Sequence, residues 1–194
     1  PGKKGTALFD RDEFPRPETT IEKLRGLPTV YGSPTVTGGN APGLNDGASG
    51  VLLASESRAK DLGIEALAEI VTTSSCAGET NQIATVPAFA IQLALKKAGL
   101  TIDDMNVIEI NEAFAAMPVT SLWLLAGEER KKWETLLEKC NVNGGSVAMG
   151  HPVGSTGCRI VQTMIWELRR RGGGYGVAAI CGGLAQGTAV LIRV

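Results

Sequence analysis

The stretch "MNVIEI" at residues 105–110 decides the fold, because it is a short apolar run followed directly by a polar residue, Asn111. Short continuous apolar runs are typical of strands buried on both faces of a parallel sheet. A helix pattern precedes it, beginning at Pro87 and ending at Gly99. Another helix pattern follows it at residues 112–125. Alternating strands and helices predict a layered α/β domain.

The same patterns extend to the rest of the second half of the chain. A strand rich in β-branched residues is expected at 67–75, and two further strands at 175–180 and 188–194. Amphipathic helices are expected around Trp133 to Cys140 and along a stripe made by Ile160, Val161, Met164, Ile165 and Leu168. Arg169, Arg170 and Arg171 complement the negative end of that last helix.

The first part of the chain is different in character. Residues 1–45 carry six prolines; those at positions 15, 17, 28, 34 and 42 interrupt helices and central strands, so this part is expected to be extended and rich in loops. Asp46 can cap a short helical turn, and residues 51–53 form a brief apolar strand. Residues 57–62 are predicted to be a helix that Gly63 ends.

Composition excludes several classes of protein. Nineteen Lys and Arg balance twenty Asp and Glu, so the broad basic surface of a nucleic-acid-binding protein is not expected. No stretch approaches the about 20 apolar residues that span a bilayer. Residues 1–4 lead into no apolar run of the kind that a secretory signal needs, so we expect a cytoplasmic protein.

The four cysteines, Cys76, Cys140, Cys158 and Cys181, contain no C-x-x-C pair. Neither a zinc site nor a disulfide framework is therefore expected, and free thiols in a reducing compartment are the simpler prediction. Cys76, Cys140 and Cys158 are expected to be packing residues.

Three polar side chains occupy similar positions and are candidates for catalysis. Asn111 follows a strand, His151 (the only histidine) lies in a glycine-rich loop before a helix, and Cys181 ends a strand before a glycine turn. Ligands bind at strand ends in α/β sheets, so the three can converge. Each also has an ordinary structural alternative: Asn111 could cap the helix after it, His151 could be a hydrogen-bonded loop residue, and Cys181 could be packed as a small residue.

The order of five motifs resembles that of the thiolase family. "DEFPRP" (12–17), "TVTGGNAPGLNDGA" (35–48), "NEAFA" (111–115), "NGGSVAMGHPVGSTGCR" (143–159) and "CGGLAQG" (181–187) each match a thiolase segment in register. The resemblance covers nearly all 194 residues. A thiolase chain is about twice as long, and its N-terminal half, which carries the nucleophilic cysteine, has no counterpart in this sequence.

The resemblance implies roles for the three polar side chains. His151 would activate the nucleophilic cysteine and, with a water held by Asn111, donate to the thioester oxygen. Cys181 would exchange a proton with the α-carbon of acetyl-CoA, provided that its neighbours lower its pKa. The amide of Gly183 would contribute to a second oxyanion hole. The implied reaction is acyl transfer between CoA thioesters, in the direction of condensation or of thiolysis.

The resemblance also implies contacts to coenzyme A. Arg16 would lie near the nucleotide, and the pantetheine tunnel would be lined by Gly38, Leu44, Ala113 and Phe114. The sequence departs from the pattern at Pro42, where many thiolases have serine, and at Leu184 and Ala185, where glycines are usual. No metal and no organic prosthetic group are implied, since the CoA thioesters are substrates.

The implied organisation has three parts. Residues 1–38 would belong to the loop domain, residues 39–65 would supply a helix and strand that complete the N-terminal domain's sheet, and residues 66–194 would form the C-terminal domain. We therefore expect a partner chain that carries the N-terminal half, and a dimer or tetramer of such units. Two alternatives are a non-catalytic CoA-binding or structural subunit and a decarboxylating or synthase-type condensing enzyme. Cys181 argues against the latter, because such enzymes usually lack it.

Overall fold

Four strands form a single sheet in the computed structural model, which describes residues 8–194. They are β1 (Glu69–Ala77), β2 (Met105–Ile110), β3 (Tyr175–Gly182) and β4 (Gln186–Arg193). The sheet order is β1-β4-β3-β2, with β2 parallel to β3 and the other two pairs antiparallel. The strands predicted at 67–75, 105–110, 175–180 and 188–194 are confirmed to within about two residues.

Seven α-helices surround or precede the sheet in the described part of the chain. They are α1 (Ile21–Arg25), α2 (Glu56–Asp61), α3 (Val86–Ala98), α4 (Ala116–Leu125), α5 (Arg130–Lys139), α6 (Ser146–Met149) and α7 (Val153–Arg171). A short 3₁₀ turn at Ile102–Asp104 leads into β2. The helix from Pro87 to Gly99 is confirmed as α3, which Gly99 ends in the left-handed conformation at φ 68°.

Helices cover both faces of the sheet, which confirms the layered α/β class. Side chains that alternate along each strand point to opposite faces. Ile108 and Val177 belong to the main core beneath α3, α4 and α5. On the other face, Val107 and Ala178 pack against α7, whose fully buried residues Ile160, Met164 and Leu168 stand at intervals of four. The predicted stripe is therefore the face of α7 that contacts the sheet.

The parallel pair β2–β3 positions the candidate site. Ile110 is in register with Ala179, and the Asn111 amide donates to the Ala179 carbonyl at 2.9 Å. Asn111 therefore stands at the carboxyl end of β2, and Cys181 stands at the carboxyl end of the neighbouring strand β3. Both residues lie at the same edge of the sheet.

The expectation of a loop-rich start agrees with residues 8–45, where α1 is the only helix described; residues 1–7 lie outside the described part. Two expectations for the next segment are wrong in this structure. No helical turn begins at Asp46, and residues 51–53 form no strand. A strand needs a neighbour to hydrogen-bond with, and the side chains of Leu52 and Leu53 are 86% and 68% exposed. The predicted helix at 57–62 is confirmed as α2.

Two helix starts also differ from the predictions. The helix expected at 112–125 begins at Ala116, so Asn111 is not its cap; the capping position is Ala115, with no side-chain bond. The helix expected along the stripe from Ile160 to Leu168 begins earlier, at Val153, so Cys158 lies within α7. Pro118 marks the true start of α4, since proline fits the first turn of a helix, where its missing N–H is not needed.

The basic end of α7 is used within the chain. Arg170 and Arg171 both bind the carboxylate of Glu167, which is 3% exposed, and Arg169 donates to the Leu67 carbonyl at 3.3 Å. These contacts agree with a structural role for the arginines. No helix within residues 8–194 is both long enough and apolar enough to cross a bilayer.

Gly187 provides a test of the packing between α3 and β4. A Cβ built at this position would lie 2.4 Å from the Val86 carbonyl oxygen, which is backbone and cannot rotate away. We expect Gly187→Ala to lower the free energy of unfolding by about 1–3 kcal/mol, the usual cost of overpacking. The measurement is urea-induced unfolding followed by circular dichroism.

Gly157→Ala is the matched control for that substitution. Gly157 lies within α7, and its added Cβ would meet no described atom within 4 Å. Alanine there should raise the free energy of unfolding by about 0.5–1 kcal/mol, because glycine is a poor helix former. Equal unfolding midpoints for Gly187→Ala and the parent would contradict the close approach of α3.

Candidate active site

The loop that holds His151 is fixed by a segment from the first part of the chain. The His151 amide donates to Asn45 Oδ1 at 3.0 Å, and Leu44 pairs with His151 in an isolated parallel bridge. Gly150 has φ 95°, and a Cβ there would lie 2.6 Å from the Asn45 side chain. Glycine is therefore required before His151 both for the backbone conformation and for the approach of Asn45.

The imidazole of His151 is held in one tautomer by Thr156. Nδ1 lies 2.8 Å from Thr156 Oγ1, and the Thr156 hydroxyl donates to the Pro152 carbonyl at 3.0 Å. Because a hydroxyl has only one hydrogen, Thr156 accepts from Nδ1–H. The proton of the neutral ring is therefore on Nδ1, and Nε2 carries a free lone pair.

Asn111 faces that lone pair. Its Nδ2 is 3.4 Å from His151 Nε2, and its Oδ1 accepts from the Ser146 hydroxyl at 2.7 Å. Arg159 Nη2 in turn donates to Ser146 Oγ at 3.1 Å. Asn111 is 1% exposed, so its orientation is set by these partners and not by solvent. Of the three residues expected to converge, Asn111 and His151 are in hydrogen-bonding contact.

Cys181 and Gly183 stand at the carboxyl end of β3, the neighbour of the strand that Asn111 follows. Cys181 is partly buried near the end of β3, and Gly183 begins the turn to β4. Leu184 and Ala185 complete the turn at φ 58° and 52°, a conformation that non-glycine residues rarely adopt. Leu184 and Ala185, where thiolases usually have glycines, therefore adopt an energetically unfavourable backbone conformation. The Leu184 side chain is directed outward and is 79% exposed.

Burial shifts the pKa values of His151 and Cys181 in opposite directions. The pKa of His151 is lowered by burial and, to a smaller extent, by the positive charge of Arg159. The pKa of Cys181 is raised by burial, which its own backbone amide offsets only in part. Both shifts favour the neutral form. The condition that neighbours lower the pKa of Cys181 is not met by the described residues, because desolvation is the larger effect.

The candidate CoA-contacting residues divide into two groups. Leu44 borders His151, while Ala113 and Phe114 follow Asn111 and pack partly against the main core. Arg16 is exposed and Gly38 lies in a loop; among residues 8–194 neither hydrogen-bonds to the Asn111–His151 pair. The structure thus places Leu44, Ala113 and Phe114 near the Asn111–His151 pair, but not Arg16 and Gly38.

Several residues of the site are not apparent from the sequence. Asn45 is separated from His151 by 106 positions, so no local spacing indicates their contact. Thr156 and Arg159 lie on α7, which begins two residues after His151. The helical pattern in the sequence could therefore have predicted that both lie near the histidine. Within the described residues, no group of three or more His, Cys, Asp or Glu side chains is placed to hold a metal ion. The four cysteines are free thiols.

The comparisons with known proteins agree with the fold. Residues 64–194 match the family model "Thiolase, C-terminal domain", and residues 1–57 match "Thiolase, N-terminal domain". The chain belongs to the thiolase family. Its similarity to an acetyl-CoA acetyltransferase of Syntrophomonas wolfei is 41% identity over 192 residues, covering 99% of this chain and 47% of the relative.

Other thiolases give the same result. The human mitochondrial 3-ketoacyl-CoA thiolase is 45% identical over 194 residues, covering 98% of this chain and 46% of that protein. The crystal structure of the Bacillus anthracis acetyl-CoA acetyltransferase superposes with a TM-score of 0.87 at 39% identity, over 100% of this chain and 47% of that one. The human enzyme in complex with CoA gives 0.81 at 39% identity, over 94% and 44%. The chain thus spans about half the length of the curated relatives it matches.

A buried carboxyl group near the site provides a test by pH. Glu109 is 1% exposed on the α7 side of β2, and its Oε1 has no hydrogen-bond partner among the described residues. Burial raises its pKa from 4.5 to about 8, against the opposing charge of Arg159. The folded protein therefore binds this proton more tightly than the unfolded chain does. The resulting stability is fully present below pH 4.5 and is lost as the pH rises through about 8.

We expect Glu109→Gln to remove part of the loss of stability at alkaline pH. Glutamine stays neutral, so the difference in unfolding free energy between about pH 6 and about pH 9 should shrink by on the order of 3 kcal/mol. Denaturant unfolding at both pH values measures it. Glu138→Gln, which alters an exposed residue, should leave the difference unchanged. The same pH dependence in Glu109→Gln and the parent would contradict a buried neutral carboxyl group.

Proposed function

We propose that this chain is the C-terminal half of a thiolase and that, with an N-terminal half, it transfers acyl groups between CoA thioesters. The reaction is thiolysis of a 3-ketoacyl-CoA or, in reverse, Claisen condensation of acetyl-CoA. One observation carries the proposal: the lone pair of His151 Nε2 faces Asn111 at the sheet edge where Cys181 also stands. The names of the relatives, acetyl-CoA acetyltransferase and 3-ketoacyl-CoA thiolase, support it.

In this proposal, His151 serves the first acyl transfer. Its unprotonated Nε2 takes the proton from the nucleophilic thiol of the N-terminal half, and the resulting thiolate attacks the thioester or ketone carbonyl. The lowered pKa of His151 keeps Nε2 free at neutral pH. Once protonated, Nε2–H becomes a donor, and together with a water held by Asn111 Nδ2 it stabilises negative charge on the substrate oxygen.

In this mechanism, Cys181 transfers the proton of the α-carbon of acetyl-CoA. In thiolysis the carbon–carbon bond breaks to leave the enolate of acetyl-CoA, and the Cys181 thiol gives that enolate its proton. Burial, which raises the pKa of Cys181, favours this donor form. In condensation the same sulfur, as a thiolate, removes the proton. The Gly183 amide, in an open turn where a Cβ would meet no described atom within 4 Å, would bind the enolate oxygen.

The geometry favours an enzyme over a non-catalytic subunit. A surface that only binds CoA does not need a half-buried imidazole with a fixed tautomer, nor a buried carboxamide facing it. The presence of Cys181 near that pair likewise favours a thiolase over a decarboxylating condensing enzyme. Neither a metal ion nor an organic prosthetic group is part of the proposed reaction.

Coenzyme A is proposed to reach the site along the N-terminal segment. An open depression of about 360 Å³ lies beside the His151 loop, lined by residues 45–49 and 152–155. Leu44, Ala113 and Phe114 would contact pantetheine near the reacting thioester, and Gly38 would border the entrance. Arg16 is exposed and could reach the nucleotide phosphates.

The three-part organisation remains a proposal, with residues 1–38 in a loop domain, 39–65 completing the N-terminal domain and 66–194 forming the C-terminal domain. Exposed apolar side chains support a covering half: Leu44, Leu52, Leu53, Val153 and Trp166 are between 58% and 96% exposed. The relatives carry both halves on one chain about twice this length, so the comparisons do not support a separate partner chain. We propose only that the N-terminal half covers this surface, and that such units pair into a dimer or tetramer. The cytoplasmic location is also a proposal, and the human relative is named as mitochondrial.

Substitution of the two acid–base residues tests the reaction. In an assembly that holds both halves, His151→Ala and Cys181→Ser should each lower the rate of acetoacetyl-CoA thiolysis on the order of 10²-fold, since each removes a proton-transfer group. The rate is measured by the loss of acetoacetyl-CoA absorbance. Cys158→Ser changes a partly buried thiol on α7 and should leave the rate near that of the parent. Near-normal thiolysis by His151→Ala or Cys181→Ser would reject the assignment.

Reconstitution tests the proposed N-terminal half. Residues 1–194 expressed alone should be inactive and aggregation-prone, because the exposed apolar segment at 51–54 lacks its covering surface. Addition of a thiolase N-terminal half should restore solubility and activity, through an interface above about 2,000 Å². An N-terminal half with its nucleophilic cysteine changed to alanine should restore solubility alone. An active monomer of residues 1–194 would contradict the proposal.

A further inference from the structure

Ser146 is a fully buried polar residue whose hydroxyl is bound on both sides. It begins α6, is 0% exposed, and lies between the Arg159 guanidinium and the Asn111 carboxamide. Arg159 Nη2 is 3.1 Å from Ser146 Oγ, and Asn111 Oδ1 is 2.7 Å from it. A burial this complete is expected only where the hydroxyl has partners.

The direction of these hydrogen bonds follows from Arg159. A guanidinium carries only donors, so the hydrogen of the Ser146 hydroxyl cannot point toward it. That hydrogen therefore goes to Asn111, which must present its oxygen to Ser146. The amide nitrogen of Asn111 then faces His151 Nε2, which is an acceptor because Nδ1 is protonated. One permanent cation thus sets the direction of every hydrogen bond from Arg159 to His151.

We infer that Ser146, held by Arg159, is a positioning residue that keeps the Asn111 carboxamide from turning over. This inference rests on the proposed function of Asn111 and His151. Arg159 has two further buried nitrogens, Nε and Nη1, without a hydrogen-bond partner in the described residues. A buried guanidinium with unused donors is costly, so its presence beside Ser146 is consistent with a role in the site.

Loss of the Ser146 hydroxyl has a specific consequence for His151. Without it, the Asn111 carboxamide can turn over and present Oδ1 to Nε2. An oxygen there accepts a hydrogen bond from protonated Nε2 and stabilises the imidazolium, which raises the pKa of His151. The same bond occupies the N–H that should reach the substrate oxygen. The charged groups around this network, Arg159 on α7 with Glu109 and Glu112 beside it, are not altered by the substitution.

The experiment compares Ser146→Ala with a matched control in an assembly that holds both thiolase halves. Ser146→Ala should lower kcat for thiolysis on the order of tenfold with little change in KM, and should shift the acid limb of the pH–rate profile to higher pH. Ser121→Ala removes another 0% exposed hydroxyl, which donates to the Ala84 carbonyl at 2.9 Å and makes no hydrogen bond to Asn111 or His151 among the described residues, and should change neither quantity. Unchanged kcat and pH profile in Ser146→Ala would overturn the inference.

A double-substitution cycle separates positioning from a general structural effect. If Ser146 acts through Asn111, Ser146→Ala should cause no further loss of kcat in an Asn111→Ala background. An equal loss in both backgrounds would reject positioning. Should Ser146→Ala not fold, Ser146→Cys retains a weak donor in the same place and should lie between the parent and the fully affected state.

A measurement without turnover distinguishes failure of this inference from failure of the proposed function. His151 is the only histidine of the chain, so ¹⁵N-histidine incorporated in this half alone gives a single imidazole to titrate by NMR. Its pKa should be higher in Ser146→Ala than in the parent, and no change would overturn the positioning role. An inactive parent assembly with the expected change in pKa would instead reject the thiolase reaction while leaving Ser146 as the residue that orients Asn111.

Discussion

The parallel pairing of β2 with β3 is the constraint on which the site depends. A parallel pair requires a long crossover, and here that crossover contains α4, α5, α6 and α7. Because α7 packs on this pair and leads back into β3, its first turn lies near the carboxyl edge of the strands. The crossover thus begins with Asn111 and returns with His151 and Thr156 to the same edge. The hydrogen bond between residues 40 positions apart is a consequence of that topology.

A second constraint comes from the first part of the chain, which supports the His151 loop from outside the sheet. Asn45 accepts the His151 amide, and Ser49 donates to the Ser155 carbonyl at 2.6 Å. A Cβ at Gly47 would lie 2.6 Å from the Pro152 side chain, so the segment fits closely against the start of α7. Beyond Gly50 the segment leaves this surface and exposes its apolar side chains. Residues 44–50 are therefore part of the site, although they fall within the match to the N-terminal thiolase domain.

The sequence predicted the sheet, the main helices and the Asn111–His151 contact, because each rests on a local pattern or a strand end. It failed where distant contacts decide the local conformation. Residues 112–115 favour a helix, yet Glu112 accepts from the Val147 amide at 2.9 Å and Ala115 donates to the Asn40 carbonyl at 2.9 Å. These bonds hold the segment out of α4. Asn45 and Ser146 could not be assigned for the same reason, since their partners are far away in sequence.

The electrostatic state of the site follows from burial and, for His151, also from the positive charge of Arg159. The pKa of His151 is lowered and that of Cys181 is raised, so burial favours the neutral form of both side chains. In the proposed reaction, charge would appear only as a proton moves, among hydrogen-bonding groups that Ser146, Thr156 and Arg159 hold in place. Dipoles that are fixed before charge develops stabilise it without the cost of reorientation. In the inferred network, the Arg159 cation acts on Asn111 through the Ser146 hydroxyl and makes no direct hydrogen bond to His151 or Cys181 among the described residues.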